Sequence, residues 1–156
     1  MNIFRLLPES KEDGGKVAGM ASYLATRAEH GSTEVGYVAH GPDMARSPAS
    51  TEVHYLLAKH AFDNMGYRRY EWKCNSSNLP SCNAAIRFGF TFKGCFRQHL
   101  VTAKGTNRDA NWYSILDGEW PERKKAMEEW LEETNFDENG AQRRKLQDFQ
   151  SWKAPN

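Results

Sequence analysis

Cysteine is scarce in this chain: Cys74, Cys82 and Cys95 are three among 156 residues, an odd number with no CxxC pair. A structural zinc site needs closely spaced thiolate or imidazole ligands, so that class is disfavoured. No His, Glu and Cys spacing suggests another metal. Long apolar runs are absent too, and no stretch approaches the length of a membrane-spanning helix. The opening MNIFRLLPESKEDGG lacks the apolar core of a secretory signal. Neither sign of charge dominates: 21 Lys and Arg against 20 Asp and Glu give a formal net charge of +1. Nucleic-acid binding ordinarily demands a basic excess or stripe, which is missing here. Repeats and low-complexity segments are lacking as well. The economical reading is a cytoplasmic protein with reduced thiols, no membrane and no nucleic-acid partner.

What is present is core-forming material. Five Trp, six Tyr and eight Phe in a chain of 17.8 kDa suffice for one domain with a dense interior. Phe4 to Leu7 reads as a short strand, closed by Pro8, and Asp13-Gly14-Gly15 as a turn before a returning strand over Lys16 to Thr26. A further strand spans Glu34 to Ala39. The pattern then switches to a helix from Pro48 to Met65, stopped by Gly66, with Val53, Leu56, Leu57 and Ala61 on one face. Tyr67 to Cys74 alternates as a strand, with Tyr70, Trp72 and Cys74 facing one way. Ser81 to Phe88 is a short helix ended by Gly89. Phe90 to Ala103 and Asn111 to Leu116 are strands joined by the polar KGTNRD. Helices are expected over Pro121 to Glu133 and Ala141 to Phe149, and the charged tail after Gly140 reads as peripheral. The order predicts an α/β (α+β) fold: a mixed, mostly antiparallel sheet with a central βαβα unit.

Three segments, in order, carry a specific resemblance. They are Glu34-Val-Gly-Tyr-Val ahead of a helix bearing Thr51-Glu52, then Asn75-Ser-Ser-Asn-Leu-Pro-Ser81, then Ala84-Ala-Ile-Arg-Phe-Gly-Phe90 with Gly94. Together they resemble the GNAT N-acetyltransferase superfamily, and the Asn78-x-x-Ser81 run followed by Gly89-Phe90 is similar to its ribosomal-protein N-acetyltransferase branch. The resemblance covers residues 16 to 121. It implies a GNAT acetyltransferase domain over 1–120 with a C-terminal helical tail over 121–156. It implies acetyl-CoA as cosubstrate, no metal, and a primary amine as acceptor, either a small molecule or a protein N-terminus.

The resemblance also directs attention to residues whose chemistry suits the task. A helix start exposes unpaired N–H groups and partial positive charge, so it can hold a pyrophosphate. The family builds that turn with glycines; here it is Ala45-Arg46-Ser47-Pro48-Ala49-Ser50-Thr51, with none. Arg46, Ser47, Ala49, Ser50 and Thr51 are the expected cofactor contacts, against the plainer reading of a Ser-Pro helix start. Asn78 is expected against the pantetheine arm and Ser81 near the thiol, as the group that protonates the leaving thiolate; both can equally serve as helix caps. Where many relatives place a tyrosine acid, this chain has Ala85. Attack by an amine needs a base. Glu34 stands at the spacing of a family glutamate, and His99 stands beside Leu100, which occupies another such position. Either can be the base, or a solvated carboxylate and a packing imidazole respectively. Cys82, at a helix start, is a conceivable nucleophile, but GNAT chemistry needs no acyl-enzyme, so all three cysteines read as core or incidental.

By the same resemblance, the family's first strand and two helices have no counterpart here, and the domain reads as N-terminally shortened. That leaves one sheet face uncovered, with self-association through it as an expectation. Two functions stay open: acetyl transfer to an amine in a ternary complex, or a degenerate CoA-binding or interaction module without turnover.

Overall fold

The structure, a computed structural model, describes residues 2–6, 17–42, 44–45 and 47–151, the first five as backbone alone. The expected Asp13-Gly14-Gly15 turn lies outside them. The strands are β1 (Asn2–Leu6), β2 (Gly19–Arg27), β3 (Ser32–His40), β4 (Arg69–Asn75), β5 (Thr91–Val101) and β6 (Asn107–Leu116), in one sheet of order β1-β2-β3-β4-β6-β5. Each adjacent pair is antiparallel except β3 with β4. Three helices, α1 (Pro48–Lys59), α2 (Leu79–Arg87) and α3 (Trp120–Leu131), complete the expected α/β architecture with its central βαβα unit.

Strand alternation decides what each face carries. On β4 the buried residues are Tyr70, Trp72 and Cys74, while Arg69, Glu71 and Lys73 are half-buried on the reverse face. The buried face is the core: Tyr70 and Trp72 join Tyr23, Val35, Leu57, Phe62, Phe88, Phe90, Tyr113, Trp120 and Trp130. The Tyr23 hydroxyl enters this core and donates to the Leu57 carbonyl at 2.6 Å, fastening α1 to β2.

Differences from the expected elements have local causes. The first helix is α-helical only to Lys59 and continues as a π turn, His60–Asn64. Its buried face is Ser50, Thr51, His54, Leu57 and Ala58, whereas Leu56 is 51% exposed. An apolar stripe misplaces this face because a histidine and two hydroxyls occupy core positions. β6 begins at Asn107, four residues before the expected start, since Asn107, Arg108 and Ala110 still pair with β5.

The tail departs most. No helix spans Ala141 to Phe149; instead Phe136 bridges Gln142 and a 3-10 turn covers Leu146–Phe149. Nor is it peripheral, because Leu146 is 0% exposed in the core. Asn135, itself buried, organises the return. Its amide donates to the carbonyls of Trp130 (3.0 Å) and Arg144 (3.3 Å), and its Oδ1 accepts from the Arg144 N–H at 3.0 Å.

Candidate functional site

The parallel pairing of β3 and β4 is short. It runs from Ser32 opposite Arg69 to Val35 opposite Trp72 and then stops. Two residues beyond Val35, Tyr37 takes a positive φ of 48° beside a register shift against β2. A non-glycine residue in the left-handed region bends a strand away from its ladder. Past that bend, Val38 and His40 on β3 and Trp72 on β4 line a cleft of about 880 Å³. The start of α1 contributes Ser47, Pro48 and Ser50, and α2 contributes Asn78, Pro80, Ser81, Ala84, Arg87 and Phe88. The far wall comes from Trp130, Phe136 and the 140–142 segment. The Trp130 indole donates to the Gln142 side chain at 3.0 Å and holds that wall.

Several expected contacts meet here. Ser47 occupies the N-cap position of α1, yet its side chain does not cap the helix. Its Oγ instead donates to the Met44 carbonyl, and the Ser50 Oγ donates to the Ser47 carbonyl, each at 2.8 Å. The first turn thus keeps donor capacity for a ligand. Thr51 differs from expectation: it is 0% exposed, and its Oγ1 accepts from Arg87 Nη1 at 3.0 Å, so its hydroxyl faces protein. Ala49 sits in the first turn without lining the cleft. Arg46 lies outside the described residues.

Asn78 caps α2, its Oδ1 accepting from the Ser81 N–H at 3.2 Å. The Ser81 Oγ accepts from the Trp72 indole at 3.0 Å. Indole can only donate, so this bond consumes a lone pair and leaves the serine its own proton. Behind Ser81, the buried thiols of Cys74 and Cys82 lie 3.5 Å apart. Burial leads in pushing the Cys74 thiol up to about 11, with the Cys82 contact adding to it. For Cys82 burial acts upward, but hydrogen bonds from Tyr113, Cys74 and Asn111 outweigh it and lower the thiol. Neither cysteine lines the cleft.

Glu34 and His99 stand elsewhere, on the reverse face. Lys73 Nζ contacts Glu34 Oε2 and Glu71 Oε2, each at 2.8 Å, and Arg69 pairs with Glu71 at 2.6 Å. The Lys73 ammonium also sits 4.1 Å from the Trp112 ring centroid. His99 packs edge-on to Trp112 at 5.7 Å, and its buried Nδ1 has no hydrogen-bond partner. The two candidate bases are therefore linked through Lys73 and Trp112 rather than through Ser81. The strands part after Val35 and Trp72, beside Lys73.

Three further polar residues line the cleft, and from sequence His40 and His54 read only as surface or helix-packing positions. His54 is buried between Phe88 (4.2 Å), Trp72 (5.3 Å) and His40 (5.8 Å), and its Nδ1 lacks a partner. Burial first, then the charges of His40 and Arg87, lower it to about 3, so the ring is neutral. His40 is lowered by burial and has an unpartnered Nε2. Arg87 lies against the Phe88 and Trp130 rings, each at 5.1 Å. Its signal was an isolated basic residue among apolar neighbours in Ala84 to Phe90. Among the described residues no group of three or more His, Cys, Asp or Glu could hold a metal ion, and no helix is long and apolar enough to cross a membrane.

Comparison with known proteins adds to this geometry. The family model described as acetyltransferase (GNAT) domain matches residues 2–91. A GCN5-related N-acetyltransferase from Brucella melitensis is 46% identical with a TM-score of 0.88, the match covering 94% of this chain and 65% of that one. A probable acetyltransferase of the GNAT family from Chromobacterium violaceum is 44% identical with a TM-score of 0.65, covering 67% of this chain and 52% of that one. The microcin C7 self-immunity acetyltransferase MccE, solved with acetyl-CoA and AMP, is 25% identical with a TM-score of 0.58, covering 65% and 56% respectively. The chain thus spans between about half and two thirds of the length of these structures. No curated protein matches.

Proposed function

Because the chain belongs to the GNAT acetyltransferase family, we propose that it moves the acetyl group of acetyl-CoA onto a primary amine, a small molecule or a protein N-terminus, by direct attack in a ternary complex. One observation carries the reading. The uncapped start of α1 and the Asn78–Ser81 turn of α2 open onto the same cleft where β3 and β4 part. The fit to the cosubstrate is chemical. The cleft's size lies within the range of small-molecule sites. Its walls alternate apolar surface with helix-start N–H groups, hydroxyls and the unpartnered imidazole nitrogens of His40 and His54. Such a surface suits a long ligand with phosphates at one end and amides along its arm.

Acetyl-CoA supplies an acetyl group already activated as a thioester. The chain's part is to hold it and move protons. The helix start holds the pyrophosphate, and Asn78 lies along the arm. Ser81, fixed by Trp72, presents its proton to the departing sulfur. The amine must be neutral to attack, and Glu34 or His99 accepts its proton from the reverse face, beside the gap that follows Val35 and Trp72. The Asn78, Ser81 and Gly89-Phe90 spacing favours the ribosomal-protein branch of the family.

The test is release of CoA thiol from acetyl-CoA by the purified chain, with a polyamine, an amino acid and a peptide bearing a free N-terminus offered in turn. Amine-dependent release is expected. The second reading, a CoA-binding module without turnover, draws on the Glu34 carboxylate being engaged by Lys73. Binding of CoA without any amine-dependent release would establish it instead. A pH–rate profile unchanged in the Glu34→Gln, His99→Gln double variant would assign proton removal to solvent.

A further inference from the structure

The cleft holds a cation with no anion. Among the described residues Arg87 forms no ion pair; its polar side-chain contact is the neutral Thr51 Oγ1, and its planar faces lie on Phe88 and Trp130. Burial alone lowers its guanidinium from the ordinary arginine value. A partly desolvated guanidinium without a counter-charge is unfavourable unless something negative arrives to pair with it. The side chain is not loose. Thr51 fixes one edge, two rings fix the faces, and the Gln150 side chain donates to the Arg87 carbonyl at 2.8 Å. Four of the five guanidinium N–H groups make no hydrogen bond to a described residue, and Arg87 lines the cleft with Ser47 and Ser50.

A second, independent observation points the same way. His54, 3% exposed, lines this cleft with a buried Nδ1 that finds no partner in the protein. Burial is the main cause that keeps it neutral. It offers a hydrogen-bonding atom to whatever fills the space beside Arg87. Carboxylates are absent from the cleft lining, so nothing described there repels an anion.

We propose that Arg87 is the phosphate anchor of this cleft, its guanidinium fork pairing with the pyrophosphate of bound CoA across the start of α1. The inference rests on CoA being the ligand. It assigns to a residue on α2 a charge for the pyrophosphate in addition to what the glycine-free turn before α1 offers. Thr51 then acts as a positioning residue, since its hydroxyl sets the angle of the fork instead of touching ligand. Arginine suits the role better than lysine because its planar donors match two phosphate oxygens at once.

Calorimetric titration of the whole chain with CoA, 3′-dephospho-CoA and pantetheine tests this. Arg87→Gln should weaken CoA and dephospho-CoA alike by at least about tenfold, the loss of one charge-assisted contact, while pantetheine is unaffected. Arg87→Lys should recover part of the loss, and the salt dependence of CoA binding should flatten in Arg87→Gln. Equal CoA affinity in wild type and Arg87→Gln overturns the assignment. A loss confined to CoA, with dephospho-CoA unchanged, overturns it too, because the contact would then be the 3′-phosphate. Should Arg87→Gln fail to fold, Arg87→Lys alone decides: CoA and dephospho-CoA affinities equal to wild type, with the charge kept but the fork lost, would overturn the pairing. Absence of CoA binding by the wild type is a separate result, and it removes the acetyltransferase reading as well.

Discussion

His54 sits at a core position of α1 that an apolar side chain could fill, and the structure tolerates it only as a neutral ring. The sign of its pH effect follows. Its folded value is lowered to about 3 from an ordinary 6.5, so between those limits the unfolded chain binds more protons than the folded one. Its contribution to stability is therefore present above about pH 6.5 and is lost as pH falls toward 3, at up to roughly 1.4 kcal/mol per pH unit. Tm measured from pH 7 to 4.5 should drop, and His54→Phe should drop less over the same range; parallel curves would show that other groups drive acid unfolding. Ser81 is a residue-scale case of a different kind. Its oxygen accepts from Trp72, so its own proton is left to give away, and the proposed role makes it the donor to sulfur. Ser81→Ala should lower kcat about tenfold to a hundredfold, the low end of general acid catalysis and below, with CoA affinity unchanged and Ser81→Thr retaining most activity. A larger change in affinity than in kcat would make Ser81 a binding residue.

Among the elements, β3 and β4 combine an apolar face toward the helices with an ionic reverse face. Lys73 there bridges Glu34 and Glu71, carboxylates whose residues lie side by side in the parallel register. At Glu71, burial works upward, but hydrogen bonds from Lys73 and Arg69 prevail and hold the carboxyl below its usual value. Lys73→Met should leave two like charges facing each other at 12% and 16% side-chain exposure. A cost of about 2 kcal/mol is expected, below the figure for breaking a fully buried pair because solvent reaches these groups. In urea unfolding, Glu34→Gln added to Lys73→Met should restore part of that loss; additive losses would show that the two do not interact. The alternation of Tyr70, Trp72 and Cys74 was readable in the sequence because strand geometry repeats every two residues. So were Asn78 as a cap and the start of α1 at Pro48, since both depend on neighbours a few residues away. The pairing of Lys73 with Glu34, and of Arg87 with Thr51, crosses 39 and 36 residues. Nothing local marks such contacts, and a reading from sequence accordingly gives Thr51 to the ligand where the structure pairs it with Arg87.

At the scale of the whole molecule, the segment after α3 was the least legible. Its composition is charged, so periodicity marks it as surface, yet single residues fix it: Asn135 through backbone carbonyls, Leu146 through the core, and Gln142 through Trp130. Leu146→Ala should cost about 2–4 kcal/mol, as for other fully buried leucines, read from denaturant unfolding. A change under about 0.5 kcal/mol, the size of ordinary surface substitutions, would return the tail to the periphery. That far wall also gives the cleft a history in time. Val38 on one side and Gln142 on the other are 104 positions apart in the chain. At a synthesis rate of about 5–20 residues per second, the ribosome delivers the second wall roughly 5–20 s after the first. The named strands and helices are all synthesised by Leu131, before the 136–142 segment that closes the cleft along one side. Tight capture of a ligand is thus deferred until the 136–142 segment has emerged.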